Sequence, residues 1–143
     1  MTLHRLIFVS RIDMPATDLE TLVAASARNN RTGHVTGLML IHQGWVLQAI
    51  EGPAEQVLET YRRISRDTRH SEAKVLYAGP AIMREFADWS LCLRTITPSD
   101  RPALAALGMD GAFEPKKLSG RCALTLLKAV RSQAEEEPLR AVG

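Results

Sequence analysis

The sequence has little of what usually announces a function. Only two cysteines occur in 143 residues, Cys92 and Cys122, and they form no CxxC pair. Neither a disulfide framework nor a thiolate metal site is expected, and a reducing, cytoplasmic setting is. The four histidines, His4, His34, His42 and His70, fall at no ligand spacing, so no metal site is expected from them either. Charge of one sign is also missing: 18 Lys and Arg stand against 16 Asp and Glu, a net of +2. That excludes the uncompensated cationic surface on which a dedicated nucleic-acid binder depends. No apolar run approaches the ~20 residues of a membrane span, and the first residues are too polar for a secretory leader. A glycine-rich phosphate loop of the Rossmann or Walker type is absent. So is a nucleophile beside a base or a defensible carboxylate pair. No enzyme is expected.

What is present is an ordinary globular composition, 45% apolar and 24% charged, on a chain long enough for one core. Leu3 to Ser10 reads as a strand covered on both faces, because Leu6 to Val9 is continuously apolar. Thr17-Asp18-Leu19-Glu20 has the form of a capping box, followed by Leu19, Leu22, Val23 and Ser26 at helical spacing, with an end near Arg28-Asn29-Asn30. Val35 to Ile41 and Trp45 to Ile50 form a hairpin around His42-Gln43-Gly44. Alternation puts Trp45, Leu47 and Ala49 on one face and Val46, Gln48 and Ile50 on the other. Glu51-Gly52-Pro53 breaks that strand and opens a helix whose inner stripe is Val57, Leu58, Tyr61 and Ile64. Lys74 to Ala78 and Trp89 to Ile96 complete the strands. Pro102 to Gly108 and Arg121 to Ala134 read as helices, with order ending at Glu135-Glu136-Glu137-Pro138.

The order β-α-β-β-α-β, then β, is an α+β chain of the ferredoxin-like type. Two helices lie on one face of a mostly antiparallel sheet with a fifth strand, and a helical C-terminal extension follows. Residues 1–97 and 98–143 are the expected units. The leucines 104, 107, 118, 124, 126 and 127 exceed what two loose helices need, and self-association is expected from them.

Four features bear on chemistry. Asn29-Asn30 serves as a helix C-cap or as a pair of binding amides. Gln48, an amide on a buried strand face, costs roughly 1–3 kcal/mol unless it is hydrogen-bonded, whether by the core or by a ligand. The run Arg62, Arg63, Arg66, Asp67, Arg69, His70 is a solvated helix end or an anion-binding rim. Trp89 is core or site. Side-by-side helices would let Asn29-Asn30 and the arginines face one cleft with Gln48 on its floor, an arrangement suited to a heterocycle with a phosphate tail.

Six ordered blocks together resemble the BLUF domain, a flavin-binding sensor of blue light. They are Leu6-Ile7-Phe8-Val9-Ser10-Arg11, Arg28-Asn29-Asn30, Val35-Thr36-Gly37-Leu38, Leu47-Gln48-Ala49-Ile50-Glu51-Gly52, Asp67-Thr68-Arg69-His70 and Arg84-Glu85-Phe86-Ala87-Asp88-Trp89. The resemblance runs from about Leu3 to Leu93, and the C-terminal helices resemble the extension of short single-domain members. It implies FAD between the two helices. Asn30 would bond the polar edge of the ring, with Asn29 and Ser26 close by. Gln48 would lie beside N5 and O4 as the switching residue. Arg63, Asp67, Arg69 and His70 would line the far side of the ring or its phosphate tail, and Trp89 would change place with the light state. Two positions depart from the family. Phe8 stands where the photoactive tyrosine belongs, so the photocycle is expected to be impaired. Leu91 stands where a methionine is common. Signalling through contacts with a protein partner is expected, and the charge balance and lack of long apolar runs leave no nucleic acid or membrane among the expected partners. Two rivals are a flavin-free partner-binding module derived from a sensor and an acylphosphatase-type hydrolase. For the second, Ser10-Arg11-Ile12-Asp13 lacks the necessary glycines.

Overall fold

A computed structural model describes residues 2–109, 111–136 and 141–142. The chain runs β1 (Leu3–Ile12), α1 (Ala16–Thr32), β2 (Thr36–His42), β3 (Trp45–Pro53), α2 (Ala54–Arg66), β4 (His70–Pro80), β5 (Leu91–Thr95), α3 (Arg101–Ala106), α4 (Gly120–Glu136) and β6 (Ala141–Val142). The sheet order is β4-β1-β3-β2-β5-β6. β1 pairs antiparallel with β3 and β4, β2 pairs antiparallel with β3, and β5 runs parallel to β2. This is the α+β, ferredoxin-like arrangement that the element order predicts. Gln43 (φ 52°) and Gly44 (φ 80°) turn the β2–β3 hairpin with two left-handed residues, the twist that suits a two-residue connection. At Gly37 the backbones of β2 and β3 approach so closely that any side chain would strike the Ala49 carbonyl.

Two hydrophobic cores form, one on each face of the sheet. Leu6, Phe8, Met39, Val46, Ile50, Leu91 and Leu93 pack under α1 and α2 through Val23, Ala27 and Val57. Ile7, Val9, Leu38, Leu40, Leu47 and Ala49 face the other way, onto Leu104, Leu118, Leu126, Leu127 and Val130. The alternation read along β3 therefore holds at every position from Trp45 to Ile50. It also explains the apolar run in β1, which is covered on both faces.

Several sequence expectations are corrected. Thr17 does not cap α1: Pro15 occupies that position, and Thr17 lies inside the helix, where its carbonyl accepts from the Thr21 hydroxyl at 3.2 Å. A comparable device occurs later, where the Asp100 carboxylate accepts from the Thr97 amide at 2.8 Å and its hydroxyl at 3.1 Å. α1 also continues past Asn29-Asn30, because Gly33 N–H bonds Asn29 O and Val35 N–H bonds Asn30 O. β3 does not break at Glu51, since Glu51, Gly52 and Pro53 stay paired with Arg5, His4 and Leu3. Leu58 lies off the inner stripe of α2 at 45% exposed, and Thr60 takes its place. β4 is longer than Lys74 to Ala78 because an edge strand exposed on most of its length lacks an apolar signature. Trp89 precedes β5 rather than opening it. Glu137 and Pro138 lie outside the described residues.

The C-terminal helices are not loose. Leu104, Leu118, Leu126 and Leu127 are spent in the second core, with Leu107 and Leu124 packed against it. The apolar surplus that suggested self-association is thus buried within the chain. Among the described residues, no helix is long and apolar enough to cross a membrane.

Candidate functional site

A cavity of about 240 Å³ opens between α1 and α2 above the sheet. Helix α1 supplies Ser26, Asn29 and Asn30 from its last turns, spaced so that they share one face. Strand β3 places Gln48 on the floor, and β5 places Leu91 there. Arg63 comes from α2, and the turn into β4 brings Asp67, Arg69 and His70. The residues that the resemblance assigned to the cofactor all line this cavity, whereas Arg62 and Arg66 of the basic run do not. Leu22, Val23, Met39, Thr60 and Ile64 line it as well and were not anticipated. Met39 was legible in principle, because it is the cross-strand partner of Gln48.

Phe8 and Trp89 stand apart. Phe8 is fully buried directly opposite Gln48 on β1 and meets the Tyr61 ring edge-on at 5.2 Å, but it sits behind the cavity wall. Burial raises the Tyr61 phenol above its usual range. Trp89 belongs to the opposite core, against α4, so it does not line the cavity in this conformation. Its carbonyl accepts from the Gly37 amide at 3.1 Å.

Two amides dominate the interior. Asn30 is 1% exposed; its Nδ2 donates to the Ser90 carbonyl at 2.7 Å, while its Oδ1 has no partner among the described residues. Gln48 is paired to β1 and β2 through its backbone and is 3% exposed, and its side-chain carboxamide meets no hydrogen-bond partner among the described residues. Open capacity on two buried amides facing one cavity is what a polar ring would satisfy, each bond left unmade costing about 1–3 kcal/mol.

The basic rim is less cationic than its sequence. Arg69 forks onto Asp67, with Nη2 to Oδ2 at 2.6 Å and Nε to Oδ1 at 2.9 Å. Those bonds hold the Asp67 carboxyl down at about 2. Arg62 is paired with Glu59. Among the described residues, Arg63 reaches the Thr60 hydroxyl at 3.4 Å and no carboxylate. Arg11 packs its guanidinium 4.9 Å from the Trp45 ring, away from the cavity, so it is not the anion-cradling arginine of a hydrolase.

His70 Nδ1 and the fully buried Ser10 hydroxyl lie 2.8 Å apart at the cavity edge. Burial lowers the His70 pKa, and nearby Asp67 opposes the shift in part. The folded state therefore binds this proton less readily than the unfolded chain. The stabilisation is present above the unfolded histidine pKa and is lost as pH falls through and below it. His42 is lowered in the same sense by burial. Thermal unfolding between pH 8 and about 5 is expected to show stability falling towards acid. The slope should be shallower in His70→Gln, and an unchanged slope would remove His70 from this role.

Comparison with known proteins points to one family. The family profile described as BLUF, sensors of blue-light using FAD, matches residues 3–92. The photoactivated adenylate cyclase subunit beta of Euglena gracilis is 30% identical over 97 residues, which is 66% of this chain and 11% of that protein. The blue light- and temperature-regulated antirepressor BluF of Escherichia coli (strain K12) is 37% identical over 86 residues, covering 59% of this chain and 21% of the relative. The chain thus spans about a tenth to a fifth of the length of these relatives. The dark-state structure of BlrB, a BLUF protein, superposes with a TM-score of 0.72 at 32% identity, over 93% of this chain and 97% of that one. The photo-activated state of BlsA gives a TM-score of 0.82 at 20% identity, covering 90% and 94%, a likeness of fold.

Proposed function

Because the chain belongs to the BLUF family of blue-light sensors using FAD, we propose that it binds FAD in the cavity between α1 and α2 and acts as a sensor rather than an enzyme. The observation that carries this reading is the buried Asn30 Oδ1, without a partner among the described residues, on a cavity whose floor holds a second buried amide, Gln48. The residues fit the group. An isoalloxazine ring carries an imide N–H and flanking carbonyls, so Asn30 Oδ1 has a donor to accept from. Gln48 has acceptors at N5 and O4 for its NH₂. Ser26 and Asn29 close the α1 side, and Arg63 with the Asp67-Arg69-His70 turn stands where a ribityl-phosphate tail would leave. When bound, the flavin supplies the absorption of blue light; the chain's part is to hold the ring and to register its state at Gln48.

Phe8 offers no hydroxyl to Gln48, and the usual long-lived red-shifted state is not expected to form. Residues 1–97 carry sensing in this reading. Residues 98–143, whose helices α3 and α4 pack on the far face of the sheet, carry the output to a protein partner or to a second copy of the chain. Trp89, which bridges the cavity's sheet to α4, is the residue whose displacement would be felt there.

The test is flavin uptake. The purified chain should be yellow or should become so with FAD, and competition with FMN measures how much the adenylate adds. Asn30→Ala is expected to weaken binding by about tenfold or more, through the loss of one buried hydrogen bond. A colourless protein that FAD cannot reconstitute overturns the reading.

A further inference from the structure

Gln48 and Met39 reach the cavity from strands that lie inside the sheet, β3 and β2. Leu91 reaches it from β5, whose position is different. The inner edge of β5 pairs with β2 from Leu38↔Cys92 to Ile41↔Thr95. Its outer edge is covered, among the described residues, by β6, where Leu91 pairs with Val142 and Cys92 with Ala141. Two registered pairs are a small hold on a strand of five residues.

Yet those pairs sit where an edge is hardest to leave bare. Leu91 and Cys92 are 1% and 2% exposed, the first in the core under α1 and α2 and the second in the core under α4. Backbone N–H and C=O groups between two covered faces have little access to water and need a partner strand. β6 supplies it, and it also lies against α1.

The same place belongs to the cavity. Leu91 lies on its floor, and Ser90, one residue earlier, accepts from Asn30 Nδ2 at 2.7 Å. Asn30 is a cavity residue of α1. β6 therefore pairs with one wall of the cavity at Leu91 and abuts another, α1, with no residue in between.

We propose that β6 is a displaceable strap whose docking on β5 is coupled to occupancy of the cavity. The proposal rests on the flavin-binding reading above and extends it to a strand outside the cavity. A ring bonded to Asn30 Oδ1 steadies Asn30 and, through Ser90, the start of β5, which is where β6 pairs. An empty cavity leaves that start freer, and the strap departs more readily. Linkage makes the coupling mutual: whatever factor the ring adds to docking of the strap, the strap adds to binding of the ring. While docked, β6 also keeps this edge from pairing with a strand of another chain.

The experiment compares the full chain with Val142→Pro, in which residue 142 has no N–H and a restricted backbone, and with a chain ending at Glu136. In the absence of flavin, hydrogen exchange of the peptide covering residues 91–95 is expected to be about threefold or more faster in both variants. Exchange over residues 45–53 should stay unchanged, which shows that the sheet is intact. With FAD, both variants should bind about threefold or more weakly than the full chain. Equal exchange over residues 91–95 in all three proteins overturns the strap, whatever the flavin does. Faster exchange in the variants with an unchanged FAD affinity overturns the coupling and leaves flavin binding intact. A full chain that takes up no FAD overturns both the coupling and the flavin-binding reading.

Discussion

Phe8→Tyr is expected to give the FAD-loaded protein a persistent red-shifted absorption band after blue light, where the parent shows none. Position 8 lies directly opposite Gln48 in the β1–β3 ladder and shares its face, with Cβ atoms about 5 Å apart. A para hydroxyl there enters a fully buried environment, where it costs about 1–3 kcal/mol unless it is bonded. The Gln48 carboxamide, which meets no partner among the described residues, can accept it. The bond would bias the carboxamide, which Phe8 leaves free, and a phenol is a far better electron and proton donor than a phenyl ring. The variant should fold with little loss of stability, because the gain of the bond offsets the added volume. Absorption spectra in darkness and after illumination decide the matter. A flavin-loaded Phe8→Tyr protein with no shift would show that more than this hydroxyl is missing, and a stable shift in the parent would refute the assigned impairment. Tyr61→Phe in the same background is the control, since its ring touches position 8 at 5.2 Å but does not line the cavity.

The sequence carried the architecture and most of the site because both depend on local periodicity. Alternation along β3 put Gln48 on the helix face, and helical spacing put Ser26, Asn29 and Asn30 on one side of α1; the cavity joins them. The failures share a different cause. Trp89 was expected at the site, yet a residue just ahead of a strand follows no alternation, and its side chain went to the opposite core. The Thr17 box matched a pattern whose geometry was set instead by Pro15. The burial of the C-terminal leucines had no signature either, because nothing in a one-dimensional pattern shows that the sheet has a second face to cover. Asn29-Asn30 resembled a helix end, whereas α1 continues to Thr32 and spends Asn30 Nδ2 on a carbonyl sixty residues away. Contacts of that range leave no local trace.

Glu51 was the most thoroughly hidden of these residues, since Glu51-Gly52-Pro53 looks like the end of a strand. Replacing it is expected to cause the largest loss of stability in the chain. The carboxylate is 0% exposed and accepts from the Glu85 and Phe86 amides and from Arg5 Nε at 2.8 Å. Arg5 is itself 9% exposed, with Nη2 spent on the Met83 carbonyl at 3.0 Å. Glu51→Ala leaves a buried guanidinium without its counter-charge and two loop amides without an acceptor. Breaking one side of a buried pair costs about 3–5 kcal/mol, most of it from the charge left behind. For a domain of this size the melting temperature should fall by about 10 °C or more. Glu51→Gln keeps one acceptor oxygen and should cost less. The double variant Arg5→Met, Glu51→Leu removes both charges together and should recover the ion-pair part of the loss, leaving the unbonded Glu85 and Phe86 amides as the remainder. Denaturant unfolding of the four proteins separates the two contributions. A loss under ~1 kcal/mol in Glu51→Ala would mean that the loop relaxes to water and that Glu51 does not clamp it. A large loss that the double variant fails to reduce would place the cost in the two amides, and so in the hold that β3 has on residues 81–90.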